Sequence, residues 1–129
     1  MSLAQHRLLK ATDSAFGEAL GISTAQLGVL FALESNPGGM PRDIAAILGI
    51  NKSAMTSLMD RMEASGLLRR EFSDEDGRAL RLFASPGGLA KAVAARPMLA
   101  RLNARLTSGF DGHELGTIAR FLSSILERF

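Results

Sequence analysis

Cysteine is absent from the 129 residues. That excludes disulfides, thiol redox sensing and zinc held by thiolates, and it fits a reducing cytoplasm. Long apolar runs are missing too. No stretch reaches the length needed to cross a bilayer, and no signal peptide is expected at the N-terminus. Proline and glycine, at 4 and 13 residues, are not in excess. No linker, low-complexity segment or internal repeat breaks the chain. A strong charge of one sign is lacking as well, since the net balance is only +2. A pI near 9.7 says little by itself about a polyanionic partner, and the placement of the basic residues says more. What is present is apolar content of 47%, enough to fold. The length suits one domain, 1–129, with a modest core, and not two.

The pattern predicts six helices and one hairpin, a mainly α chain. A first helix covers residues 3–20 and ends at Gly21. Ser23 or Thr24 caps a second, with Gln26 at capping-box distance from Ser23. Leu27, Leu30, Phe31 and Leu33 make that helix apolar around much of its circumference, as expected of a buried centre. Asn36-Pro37-Gly38-Gly39 ends it. A short helix follows from Pro41 to about Leu48, with Ile44, Ala45 and Leu48 inward. After Gly49, Asn51 caps a fourth helix from Lys52 to about Ser65. Met55, Leu58, Met59 and Met62 form its apolar stripe, which is core and carries no chemistry.

Beyond Gly66 the period changes to two. Leu67 to Phe72 and Leu80 to Ala84 alternate around the turn Ser73-Asp74-Glu75-Asp76-Gly77, which predicts a β-hairpin. Ser85-Pro86 opens a fifth helix that reaches Thr107 or Ser108, and Pro97 inside it is expected to kink or split it. Asp111 and Glu114 form a capping box for the last helix. Leu115, Ile118, Ala119, Leu122, Ile125, Leu126 and Phe129 give that helix the most regular apolar stripe in the chain.

A short helix, a tight turn with glycine and a second helix with a polar outer face make a helix-turn-helix signature. In such a unit the first helix braces the second, which enters the major groove of DNA. Small side chains let the backbone approach, so Ser53, Thr56 and Ser57 suit base edges or phosphates, and a Thr methyl can meet a thymine methyl. Lys52 is placed for a phosphate or a guanine, and Arg61 for a phosphate or for bracing the hairpin. The hairpin is a wing in which Arg69, Arg70, Arg78 and Arg81 cluster. Asp76 is expected to pair with an arginine and shape the tip.

Residues 22–88 resemble the MarR family of bacterial transcriptional regulators. The matching pieces are Ile22 to Leu27, Asp43 to Ile50, Met59-Asp60-Arg61-Met62-Glu63-Ala64-Ser65-Gly66-Leu67, Asp74 to Ala79 and Ser85 to Gly88. At the wing the family commonly has Asp-Arg-Arg, whereas this chain has Asp76-Gly77-Arg78, so the tip's grip rests on Arg78. The resemblance implies a winged helix-turn-helix lobe at 22–88 with flanking dimerisation helices at 3–20 and 86–129. It implies a homodimer on a pseudo-palindromic operator, and repression as the default for so small a chain. It also implies a small, often aromatic effector bound between the dimer helices and the DNA-binding lobe. No cofactor or metal is implied.

Enzyme chemistry finds no support in the sequence. His113-Glu114 begins like a zinc-protease helix, but Thr117 stands where the second histidine belongs. Gly38-Gly39 and Gly87-Gly88 lack the flanks of a phosphate loop, and no nucleophile has a base partner nearby in sequence. The alternative of another class is a winged helix that binds protein without nucleic acid.

Overall fold

The computed structural model describes residues 2–73 and 79–129. Its elements are α1 (Ser2–Leu20), α2 (Thr24–Ser35), α3 (Pro41–Leu48), α4 (Lys52–Ala64), β1 (Leu68–Phe72), β2 (Leu80–Ala84), α5 (Pro86–Thr107) and α6 (Gly112–Arg128). Helix ends follow the caps. Ser23 Oγ accepts from the Gln26 amide while the Gln26 side chain takes the Ser23 amide, closing the expected box. Asn51 Oδ1 accepts from the Ala54 amide at 2.8 Å, and Asp111 with Glu114 repeats the box on α6. Two compact units divide the described chain, Met1–Arg96 and Pro97–Phe129. The hydrogen-bonded helix α5 runs through Pro97 without a split. One missing amide donor removes a single rung, and the turns on either side hold.

In the first unit α2 is the centre. Leu27, Val29, Leu30, Ala32 and Leu33 are all buried, so the helix has no free face of any width. Around it pack Phe16 of α1, Ile44 and Ala45 of α3, and the stripe Met55, Leu58, Met59 and Met62 of α4. Leu67, Leu68 and Leu82 close the core from the hairpin. Polar ties fix the helices to one another. Asp13 of α1 accepts from the Thr24 amide at 2.8 Å, supplying a second cap to α2. Lys91 of α5 donates to the Leu20 carbonyl at the end of α1. Arg96 pairs with Glu34 and lies 5.4 Å over the ring of Phe31, which is half-buried.

The hairpin is antiparallel, in the register Leu68↔Ala84, Arg70↔Leu82 and Phe72↔Leu80. The loop after α2 adds a further rung, which the sequence does not signal. Gly38 donates to the Leu82 carbonyl at 2.9 Å, and Leu82 donates to the Gly39 carbonyl at 3.0 Å. Gly38 adopts a left-handed φ of 80°, so this loop needs a residue without a Cβ there. Where the wing hands over to α5, Ser85 Oγ donates to the Gly66 carbonyl at 2.5 Å and accepts from the Gly88 amide at 3.0 Å. Gly88 is the tightest contact. A Cβ added there falls 2.2 Å from the Leu67 carbonyl oxygen and 2.8 Å from Leu30 Cδ2.

The second unit holds the end of α5 and all of α6, joined through Gly109 in a left-handed turn. No residue of α6 is buried. Ile118, Phe121, Leu122, Ile125 and Leu126 are all exposed along its length. No single helix among the described residues is long and apolar enough to cross a membrane.

Candidate nucleic-acid interface

Helices α3 and α4 are set by one glycine and one asparagine. Gly49 takes a left-handed φ of 68° and ends α3, and the Ile50 amide returns to the Ala45 carbonyl at 3.0 Å. Asn51 then starts α4 by capping. With the methionine stripe buried, the opposite face of α4 is forced outward. Lys52, Ser53, Thr56, Ser57 and Arg61 are all exposed on it, as their spacing predicts. Thr56 Oγ1 donates to the Lys52 carbonyl at 2.9 Å, and Arg61 Nε lies 3.4 Å from the Ser57 carbonyl oxygen. Asp60 shares this face, as the spacing along the helix places it.

The wing arginines divide by position. Arg69 is exposed, pairs with Glu71 on its own strand and lies 4.5 Å over the ring of Phe83 across the ladder. Arg70 is turned onto α4. It pairs with Asp60 and places Nε 3.4 Å from Glu63 Oε1, a contact without hydrogen-bond alignment. The wing is therefore braced to α4 by Arg70 rather than by Arg61. Arg81 is half-buried and reaches the Gly38 carbonyl at 3.5 Å. Arg78 and the expected Asp76 pairing lie outside the described residues.

Between α3, α4 and the start of β2 lies an open cavity of about 730 Å³. Met40, Pro41, Met59 and Leu80 give it apolar walls, and Arg42, Lys52 and Thr56 border it too. Arg42 is highly exposed, with Asp43 3.8 Å away as a loose partner. Its place beside α4 is not visible in the sequence, where α3 reads only as a brace. Among the described residues no three His, Cys, Asp or Glu side chains come together as a metal site.

Chemically this face offers short hydroxyls, two cations and a helix backbone free to approach a groove. Residues 20–79 match the model of the MarR family. The uncharacterized HTH-type transcriptional regulator YfiV of Bacillus subtilis (strain 168) is 38% identical over 61 residues. That match covers 47% of this chain and 38% of the relative, so the chain spans well under half of that protein's length. A crystal structure of a mutant MarR from E. coli complexed with operator DNA is similar at a TM-score of 0.82 and 22% identity, over 97% of this chain and 92% of that one. The PcaV transcriptional regulator from Streptomyces coelicolor, in complex with its natural ligand, is similar at 0.83 and 21%, over 96% and 89%. At such identities the structural likeness is one of fold, a winged helix-turn-helix with flanking helices. Members of the matching family are transcription regulators and not enzymes. Residues 20–79 of the chain are thus similar to the MarR family, and the chain shares a fold with these solved regulators along nearly its whole length.

Proposed function

We propose that this chain is a sequence-specific double-stranded DNA-binding transcriptional regulator that acts in the cytoplasm as a homodimer on a pseudo-palindromic operator. The observation that carries this reading is the outer face of α4, where Lys52, Ser53, Thr56, Ser57 and Arg61 are exposed on a helix anchored by buried methionines. In this reading α4 enters the major groove, Lys52 and Arg61 hold phosphates, and the wing flanks the groove with Arg69, Arg78 and Arg81. Arg70 contributes by fixing the wing against α4.

Dimerisation is supported by the apolar residues left exposed outside 22–88. Leu3, Leu8 and Leu9 of α1 are exposed among the described residues, and so are Ile118, Leu122 and Ile125 of α6. A two-fold dimer places its two α4 helices about 34 Å apart, one turn of DNA. Repression is part of this proposal: a dimer seated on its operator acts by occupying the site. Ligand response is supported by the cavity beside α4. A small molecule seated there meets Lys52 and Thr56, two side chains offered to DNA, and so competes with the duplex.

A winged helix that docks protein instead would present large apolar anchors on α4. The exposed large apolar residues among those described include none on α4. The two readings separate on salt. With about six phosphate contacts, affinity for a duplex falls roughly a thousandfold between about 50 and 200 mM salt. A protein-docking module shows no such slope and no duplex binding.

A further inference from the structure

We infer that Thr56 reads its base pair through its methyl group, so that each half-site carries a thymine whose 5-methyl packs against it. The inference rests on the DNA-binding reading and names the chemistry of that site. Thr56 is exposed on the second turn of α4, between Lys52 and Asp60 on the same face. Its hydroxyl is its sole donor, and that donor is spent on the Lys52 carbonyl at 2.9 Å. The same bond selects one side-chain rotamer, because a helical threonine otherwise divides between two. The methyl is thus held in place before DNA arrives, and its ordering costs nothing on binding.

The neighbours on this face leave the methyl a large share of the reading. Among exposed residues 52–60 no arginine, asparagine or glutamine is present, so the side chains that grip purines in pairs are lacking beyond Lys52. Ser53 and Ser57 offer single hydroxyls with no methyl. Asp60 is drawn aside by Arg70, and Arg61 Nε is directed at the Ser57 carbonyl. On the DNA side, the thymine 5-methyl is the one apolar group that a base pair shows in the major groove. An apolar group held rigid on a helix of short side chains meets that group best.

One competing use of Thr56 remains open chemically. Its oxygen keeps lone pairs and accepts from the amino group of adenine or cytosine. The methyl and the oxygen are separated by two substitutions, Thr56→Ser, which keeps the oxygen alone, and Thr56→Val, which keeps methyls alone. Both sit on an exposed face, and thermal melts of the variants are the check that they fold.

The experiment uses the full chain and a duplex site enriched from a random pool. Each dT of the half-site is replaced in turn by dU, symmetrically in both halves, which removes the 5-methyl and keeps the pairing. The expected result is one position where dU costs about fourfold per half-site, the worth of one methyl group buried. That penalty disappears in Thr56→Ser and persists in Thr56→Val. Full affinity at every dU position, or a penalty that persists in Thr56→Ser, overturns the inference while leaving DNA binding intact. If the wild type enriches no duplex, the DNA-binding reading fails and this inference falls with it.

Discussion

Arg70 of β1 pairs with Asp60 of α4, ten residues back in the chain, and so ties the wing to the helix that faces outward. Glu63 sits on the other side of the same guanidinium. The acidic partners lie on α4 itself, so the pair also lowers the negative charge presented along that helix. Arg70 is a quarter exposed and Asp60 well exposed, which keeps the contribution to stability near 1 kcal/mol or below. Its value lies in position. Arg70→Ala is expected to weaken duplex binding without changing the salt slope, whereas Lys52→Ala lowers the slope by about one. Affinities across a salt series distinguish them, and a slope lowered by about one in Arg70→Ala makes that residue a phosphate contact instead.

Gly88 packs under the Leu67 carbonyl where wing and α5 join. Alanine there drives its Cβ against backbone rather than against a flexible side-chain end. Gly88→Ala is expected to destabilise the chain by about 2–3 kcal/mol, lowering Tm by roughly 10 °C. A melt within a degree or two of wild type contradicts the close approach.

Asn51 separates folding from binding at the start of α4. Asn51→Ala removes the bond to the Ala54 amide and costs about 1 kcal/mol. Asn51→Asp keeps the cap and so keeps the stability, but it adds a negative charge at the end of the helix nearest Lys52. Duplex affinity is expected to fall in Asn51→Asp with Tm unchanged, as read by parallel melts and titrations. Equal affinity for both proteins places this helix end away from phosphate.

The apolar side of α6 is predicted to be covered by a second copy. Leu122→Asp puts a charge in the middle of the exposed stripe of Ile118, Leu122 and Ile125. Sedimentation is expected to show a monomer in place of a dimer, with loss of tight binding to a two-half-site duplex. A dimer that survives this substitution shows that the stripe is not the interface.

Much of this architecture is legible in the residues because local chemistry determines it. Ser23 with Gln26, Asn51, and Asp111 with Glu114 announce helix starts, and each is a cap in the structure. The step from Met55 to Met62 identifies the inner face of α4 and, by subtraction, the outer one. What escapes the sequence is what the chain path brings together. The rung between Gly39 and Leu82 needs two segments far apart in sequence, and its glycines read only as a helix end. Arg70 looks like any wing arginine until Asp60 and Glu63 arrive beside it. Arg42 at the cavity rim depends in the same way on how α3 lies against α4 and β2.

Selection of binding sites from a random duplex pool at about 150 mM salt tests the central claim most directly. The expected result is an enriched pseudo-palindrome whose half-sites are about one helical turn apart, as two α4 helices of a two-fold dimer require. A pool that emerges without any enriched sequence contradicts sequence-specific DNA binding by the face of Lys52, Thr56 and Arg61.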